Sequence, residues 1–85
     1  MAVSVSPYSI NVSDEVLDDL SRRLEMTRFP KQVIGTGWDR GVDLDYMKEL
    51  VDYWLHAYDW RRQETLLNEY QHFKADVDGL GIHFI

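Results

Sequence analysis

The stretch DLDYMKELVDYWLHAYDWRRQETLLN, residues 43–68, decides how the rest of the chain is read. Leu44, Met47, Leu50, Val51, Trp54, Leu55 and Tyr58 recur every three or four positions, the period of one face of an α-helix. Asp43 stands where a side-chain acceptor caps a first turn. Asp59 is placed to cap another helix directly afterwards, running through Trp60, Gln63, Leu66 and Leu67 to about Asn68, which reads as the cap at its far end.

Upstream, Ser13-Asp14-Glu15 is a further helix start, with Ser13 as cap and two acids at the positive end of the dipole. Val16, Leu17, Leu20 and Leu24 follow at helical spacing, and Pro30 limits that helix to about Thr27. Residues 29–42, with Pro30, Gly35, Gly37 and Gly41, read as an irregular loop packed down by Trp38. Before the first helix, Tyr8, Ile10 and Val12 alternate within 7–12 as a short extended segment. Downstream, the period changes to two. Phe73, Ala75 and Val77 alternate with polar residues, Asp78-Gly79-Leu80-Gly81 turns around Gly79, and residues 82–85 resume an extended run. The expected fold is α+β and mainly α: three helices, an N-terminal extended segment and a C-terminal β-hairpin. Ending on Phe84-Ile85 without a polar tail, the hairpin reads as a strand continuing into further chain.

The chain has 85 residues, enough for one small domain or part of a larger one. Domains of this size bury only about 60–65% of the surface their unfolded chain exposes. No cysteine is present, and His56, His72 and His83 show no ligand spacing; they read as scattered surface or packing residues. The chain instead carries 3 Trp, 5 Tyr and 3 Phe, more ring area than so short a chain has interior for. Fifteen acidic against nine basic residues give a formal charge of −6, which opposes a nucleic-acid partner. No apolar run approaches the ~20 residues of a membrane span, and no signal peptide is recognisable at the start. A cytoplasmic location is the expectation. Asn11-Val12-Ser13 matches a glycosylation sequon, but Ser13 has the capping role.

Tyr53-Trp54, Tyr58-Asp59-Trp60-Arg61, Glu64, Leu67-Asn68, Phe73, Asp78-Gly79-Leu80 and Ile82-His83-Phe84 together closely resemble the N-terminal domain of the microsomal-type epoxide hydrolases. Asp14 through Leu24, Thr27-Arg28-Phe29-Pro30, Trp38 and Gly41 fall in the same order, so the resemblance runs from Pro7 to Ile85. His72 departs from it, standing where the family usually has Pro, and Ala57 stands where it often has Gly. The resemblance implies one supporting domain over about 7–81, followed by an α/β-hydrolase domain whose first strands begin at 82–85. It implies a catalytic aspartate, a His–acid pair, two tyrosines and an oxyanion site, all downstream of this segment. No catalytic residue, metal ligand or cofactor is therefore expected here.

Gly37-Trp38-Asp39-Arg40-Gly41 mimics a nucleophile elbow, but residues 31–36 are too short and glycine-rich for the central strand that an elbow needs. Asp76-Val77-Asp78-Gly79 hints at a calcium loop, for which a hairpin turn is the better account. Trp38, Trp54, Tyr58, Trp60, Arg61, Phe73 and Phe84 are the residues expected to pack on the catalytic domain, with Trp54 and Trp60 at the centre of the face. Arg61 is expected to pair with an internal carboxylate, Glu64 being the candidate, or with carbonyls of the partner domain. The competing reading is a free-standing binding module or homodimer that uses the same apolar face, or pairs through the 82–85 edge.

Overall fold

The computed structural model describes residues 3–85. They form two compact units, one of residues 13–58 and one built from 3–12 together with 59–85.

The 13–58 unit holds helices α1 (Asp14–Glu25) and α2 (Leu44–His56). Ser13 is extended, and its Oγ accepts the Val16 N–H at 3.3 Å. Asp43 does the same for Tyr46 at 3.2 Å. Half-buried residues fall in helical rows: Leu17, Leu20 and Leu24 on α1, and Leu44, Met47, Val51 and Leu55 on α2. The helical period extends to Tyr58, yet α2 stops at His56. Asp59 must be extended to cap the next helix (φ −107°, ψ 97°), so the chain has to leave helical geometry before it.

The loop between α1 and α2 is tied by Gln32. Its Nε2–H donates to the Gly37 carbonyl at 2.6 Å, and its Oε1 accepts the Leu44 N–H at 2.8 Å. Trp38, the expected anchor, is 59% exposed, with its ring against Tyr46 at 5.1 Å. A carboxamide fastens this loop because it offers a donor to one backbone group and an acceptor to another, whereas an indole is a donor only.

The second unit carries helix α3 (Trp60–Leu67) and a three-stranded antiparallel sheet of β1 (Val3–Tyr8), β2 (His72–Val77) and β3 (Leu80–Phe84). The order is β1-β2-β3, so β2 is central and β3 borders the sheet. Asp59 caps α3 through the Arg62 N–H at 3.2 Å, and Asn68 is its C-cap. Two differences from the sequence pattern stand out. The extended segment is Val3–Tyr8, not 7–12, because Val3, Val5 and Pro7 supply the alternation that matches β2. The hairpin turn is Asp78-Gly79 alone, with φ of 51° and 81°, and Leu80 and Gly81 already pair in β3. Two positive-φ residues are what a type I′ hairpin turn requires. Helix exceeds strand, at 12, 13 and 8 residues against 6, 6 and 5, but the sheet is a full element of an α+β fold.

Candidate docking surface

Strand pairing sorts the sheet residues onto two faces, since alternate side chains point to opposite sides. On one face the register aligns three rows: Val3, Val77 and Leu80; Val5, Ala75 and Ile82; Pro7, Phe73 and Phe84. Every position of this three-by-three grid is apolar. On the other face Ser4 aligns with Asp76 and Gly81, Ser6 with Lys74 and His83, and Tyr8 with His72. One face is apolar throughout, and the other is largely polar, with His72 buried at its end beside Leu67.

The apolar face is not covered. Val5 is 58% exposed, Leu80 67%, and Val3, Ile82 and Phe84 are exposed as well. Phe73 and Phe84 stack with ring centres 5.5 Å apart, which shields Phe73 but leaves Phe84 open. Ala75, at the centre of the grid, is the one apolar side chain among the described residues that is essentially buried. Monomeric proteins seldom expose contiguous apolar surface on this scale without a partner for it.

Two polar knots hold the sheet unit together. Glu64 is buried and accepts three hydrogen bonds: from the Val12 N–H at 2.9 Å, from Trp60 Nε1–H at 3.2 Å and from Arg61 Nη1 at 2.8 Å. These donors, the Val12 amide first and the Arg61 guanidinium next, hold its carboxyl below the usual range. Asn68 clasps Ile10 by accepting its N–H at 2.9 Å and donating to its carbonyl at 2.8 Å. The segment 9–12 is thus fixed by two side chains of α3 and its cap rather than by strand pairing.

The residues singled out from sequence fall in both units. Trp54 and Tyr58 are exposed in the 13–58 unit, whereas Trp60, Arg61, Phe73 and Phe84 belong to the sheet unit. Trp60 is half-buried, and its N–H is bonded to Glu64. The surface that assembles within one unit is the sheet grid, of which Phe73 and Phe84 are the foreseen members. Val3, Val5, Leu80 and Ile82 were not foreseen; the hairpin register set by Asp78-Gly79 was the signal that could have found two of them. His72 and His83 are not scattered, for their rings meet at 2.9 Å.

Residues 37–41 form a turn with no strand before it, so Asp39 lacks the setting of an elbow nucleophile. A cleft of about 420 Å³ beside this loop is lined largely by Pro30, Val33, Val42, Leu44 and Met47. Among the described residues no group of three or more His, Cys, Asp or Glu is arranged to hold a metal. No helix among them is long and apolar enough to cross a membrane.

The epoxide hydrolase N-terminus profile matches residues 5–85. The chain belongs to the epoxide hydrolase N-terminal family. This epoxide hydrolase N-terminal chain is 43% identical over 81 residues to a putative epoxide hydrolase of Stigmatella aurantiaca, covering 95% of the chain and 18% of that relative. It is 38% identical over 82 residues to epoxide hydrolase 1 of Sus scrofa, again covering 18% of the relative and 96% of the chain. Its fold matches the crystal structure of juvenile hormone epoxide hydrolase from Bombyx mori with a TM-score of 0.84 at 29% identity, over 96% of this chain and 22% of that one. Aspergillus niger epoxide hydrolase matches with a TM-score of 0.85 at 28% identity, over 94% and 22%. The chain thus spans about a fifth of the length of the relatives it matches.

Proposed function

We propose that the chain is a non-catalytic supporting segment of an epoxide hydrolase, packing on and stabilising an α/β-hydrolase core that opens epoxides to vicinal diols. The exposed apolar grid of the sheet carries this reading. Fully burying one Val, Leu, Ile or Phe side chain contributes roughly 1.5–3 kcal/mol, and five of the grid residues still have much of that area open. The remaining four-fifths of the relatives' chains are a source of the surface that covers it. Trp60 and Arg61 add to the contact of the sheet unit, Trp38, Trp54 and Tyr58 are the packing residues of the 13–58 unit, and the domain over about 7–81 hands on to the hydrolase strands at 82–85.

A chimera tests it, with this chain replacing the matched segment of the Stigmatella aurantiaca relative. The chimera is expected to fold and to hydrolyse an epoxide. Ile82→Asp, which puts a charge in the grid, is expected to lower its melting temperature by roughly 3–5 °C, as burying an unpaired charge costs several kcal/mol and a chain of the relative's length loses about 1 °C per kcal/mol. An unchanged melting temperature in Ile82→Asp would show that the grid faces water in the longer protein. One observation favours a second reading, homodimerisation: β3 leaves its outer edge unpaired, a ready template for another strand. That reading expects a doubled mass for the chain at high concentration, persisting in the chimera.

A further inference from the structure

His72 and His83 face each other on the polar side of the sheet, Nδ1 of the first 2.9 Å from Nε2 of the second. The other nitrogen of His72, Nε2, lies 2.6 Å from the Leu67 carbonyl at the end of α3. A carbonyl only accepts, so Nε2 carries a hydrogen. In a neutral ring Nδ1 is then bare and accepts the Nε2–H of His83. A gap of 2.9 Å has room for one hydrogen between the rings and not for two. The closed pair therefore has a net charge of zero or one. A second added proton has no place unless the rings part.

The neighbours offset charge at one ring only. From β1, the Tyr8 ring meets His83 edge-on at 4.8 Å. From β2, Lys74 lies directly across the ladder from His83, its Nζ 5.0 Å from the Tyr8 ring centre. From α3 comes the Leu67 carbonyl, at the negative end of the helix dipole, which favours charge on His72. Among the described residues no carboxylate is hydrogen-bonded to either ring. We propose that His72 and His83 are a proton-operated latch fastening β3 to β2 and to the end of α3, closed at neutral pH and opened by the second proton. His83 is exposed and swings into solvent, whereas His72, only 4% exposed, stays under the Leu67 carbonyl.

In the unfolded chain both histidines charge below about pH 6.5. That state then binds one proton more than the closed latch, so stability rises with pH through this range and falls on acidification. A one-proton difference changes the folded-to-unfolded ratio tenfold per pH unit. The test combines urea unfolding of the 85-residue chain between pH 8 and pH 5 with a nitrogen-15 histidine titration. In the unaltered chain His72 is expected as the Nε2–H tautomer at pH 7.5, and below about pH 6.5 its stability falls up to tenfold per pH unit faster than that of His83→Gln. The glutamine amide can turn its oxygen towards His72 and accept from a protonated Nδ1, so the remaining ring takes up its proton in the folded variant as it does in the unfolded one. Equal slopes in the two proteins overturn the latch. So do two fully charged rings with the cross-ring bond intact at pH 5, which the titration of the unaltered chain reads even if His83→Gln does not fold.

Discussion

Replacing Asn68 by Ala removes both bonds by which the end of α3 holds the chain as it leaves β1. The carboxamide engages the N–H and the C=O of Ile10 at once, at 2.9 and 2.8 Å. A neutral hydrogen bond contributes about 1 kcal/mol net, and these two are solvent-accessible, which sets each near the lower end of the range. The C-cap geometry (φ −75°, ψ −3°) suits Ala, whose helix propensity returns a few tenths. The net loss is about 1 kcal/mol, or roughly 4–8 °C in melting temperature for a domain of this size. Asn68→Asp separates the two bonds. It keeps an acceptor for the Ile10 N–H but sets a carboxylate oxygen against the Ile10 carbonyl and adds negative charge at a helix C-terminus. At pH 7 it is expected to be no more stable than Asn68→Ala, and to recover below about pH 4 as the acid regains a donor hydrogen. Circular-dichroism melts and amide exchange at Ile10 read both effects. Wild-type stability in Asn68→Asp at pH 7, with Ile10 still protected, would refute the clasp.

Glu64→Gln should flatten the acid limb of the stability profile. A carboxyl held low by the Val12 N–H and Arg61 stabilises the fold fully above the unfolded carboxylate range, and that contribution is lost as pH falls through the lowered folded value. Urea midpoints at pH 7 and pH 3 should therefore differ less in the variant than in the unaltered chain. Gly79→Ala should cost about 1–2 kcal/mol, because φ is 81° and an added Cβ meets nothing within 4 Å, so the penalty is torsional alone. Gly79→Asn, which tolerates that conformation, should melt higher than Gly79→Ala in the same scan.

All three helices were legible because caps and period agree at each: Ser13, Asp43 and Asp59 each precede a run of apolar residues at helical spacing. The hairpin was legible from Asp78-Gly79 for the same reason. What local reading missed was the partner of that hairpin. Val3, Val5 and Pro7 look like a loose leader until they are set opposite Val77, Ala75 and Phe73, far away in sequence. The apolar grid was invisible for that reason, since alternation in one strand does not say which neighbour completes the face. The aromatic count pointed to unmet apolar surface, and the structure puts much of it on aliphatic residues of the sheet. Glu64 was foreseen as a helix pair for Arg61, but its bond to Val12 spans the two ends of the unit and has no local signature.

The first strand meets its neighbour late. Tyr8 pairs with His72, and about three-quarters of the chain lies between them. Bringing such distant segments together requires closing a long loop, which slows folding more than it lowers stability. The helices and the hairpin are local and need no such closure. Residues 13–58, which form their own unit, shorten the effective loop once they are folded. The expected order of assembly therefore puts the N-terminal strand after the helices and the hairpin, with β1's flank of β2 bare until it joins. Along a growing polypeptide β1 is made first, yet it has no strand to pair with until residues 72–77 have followed it.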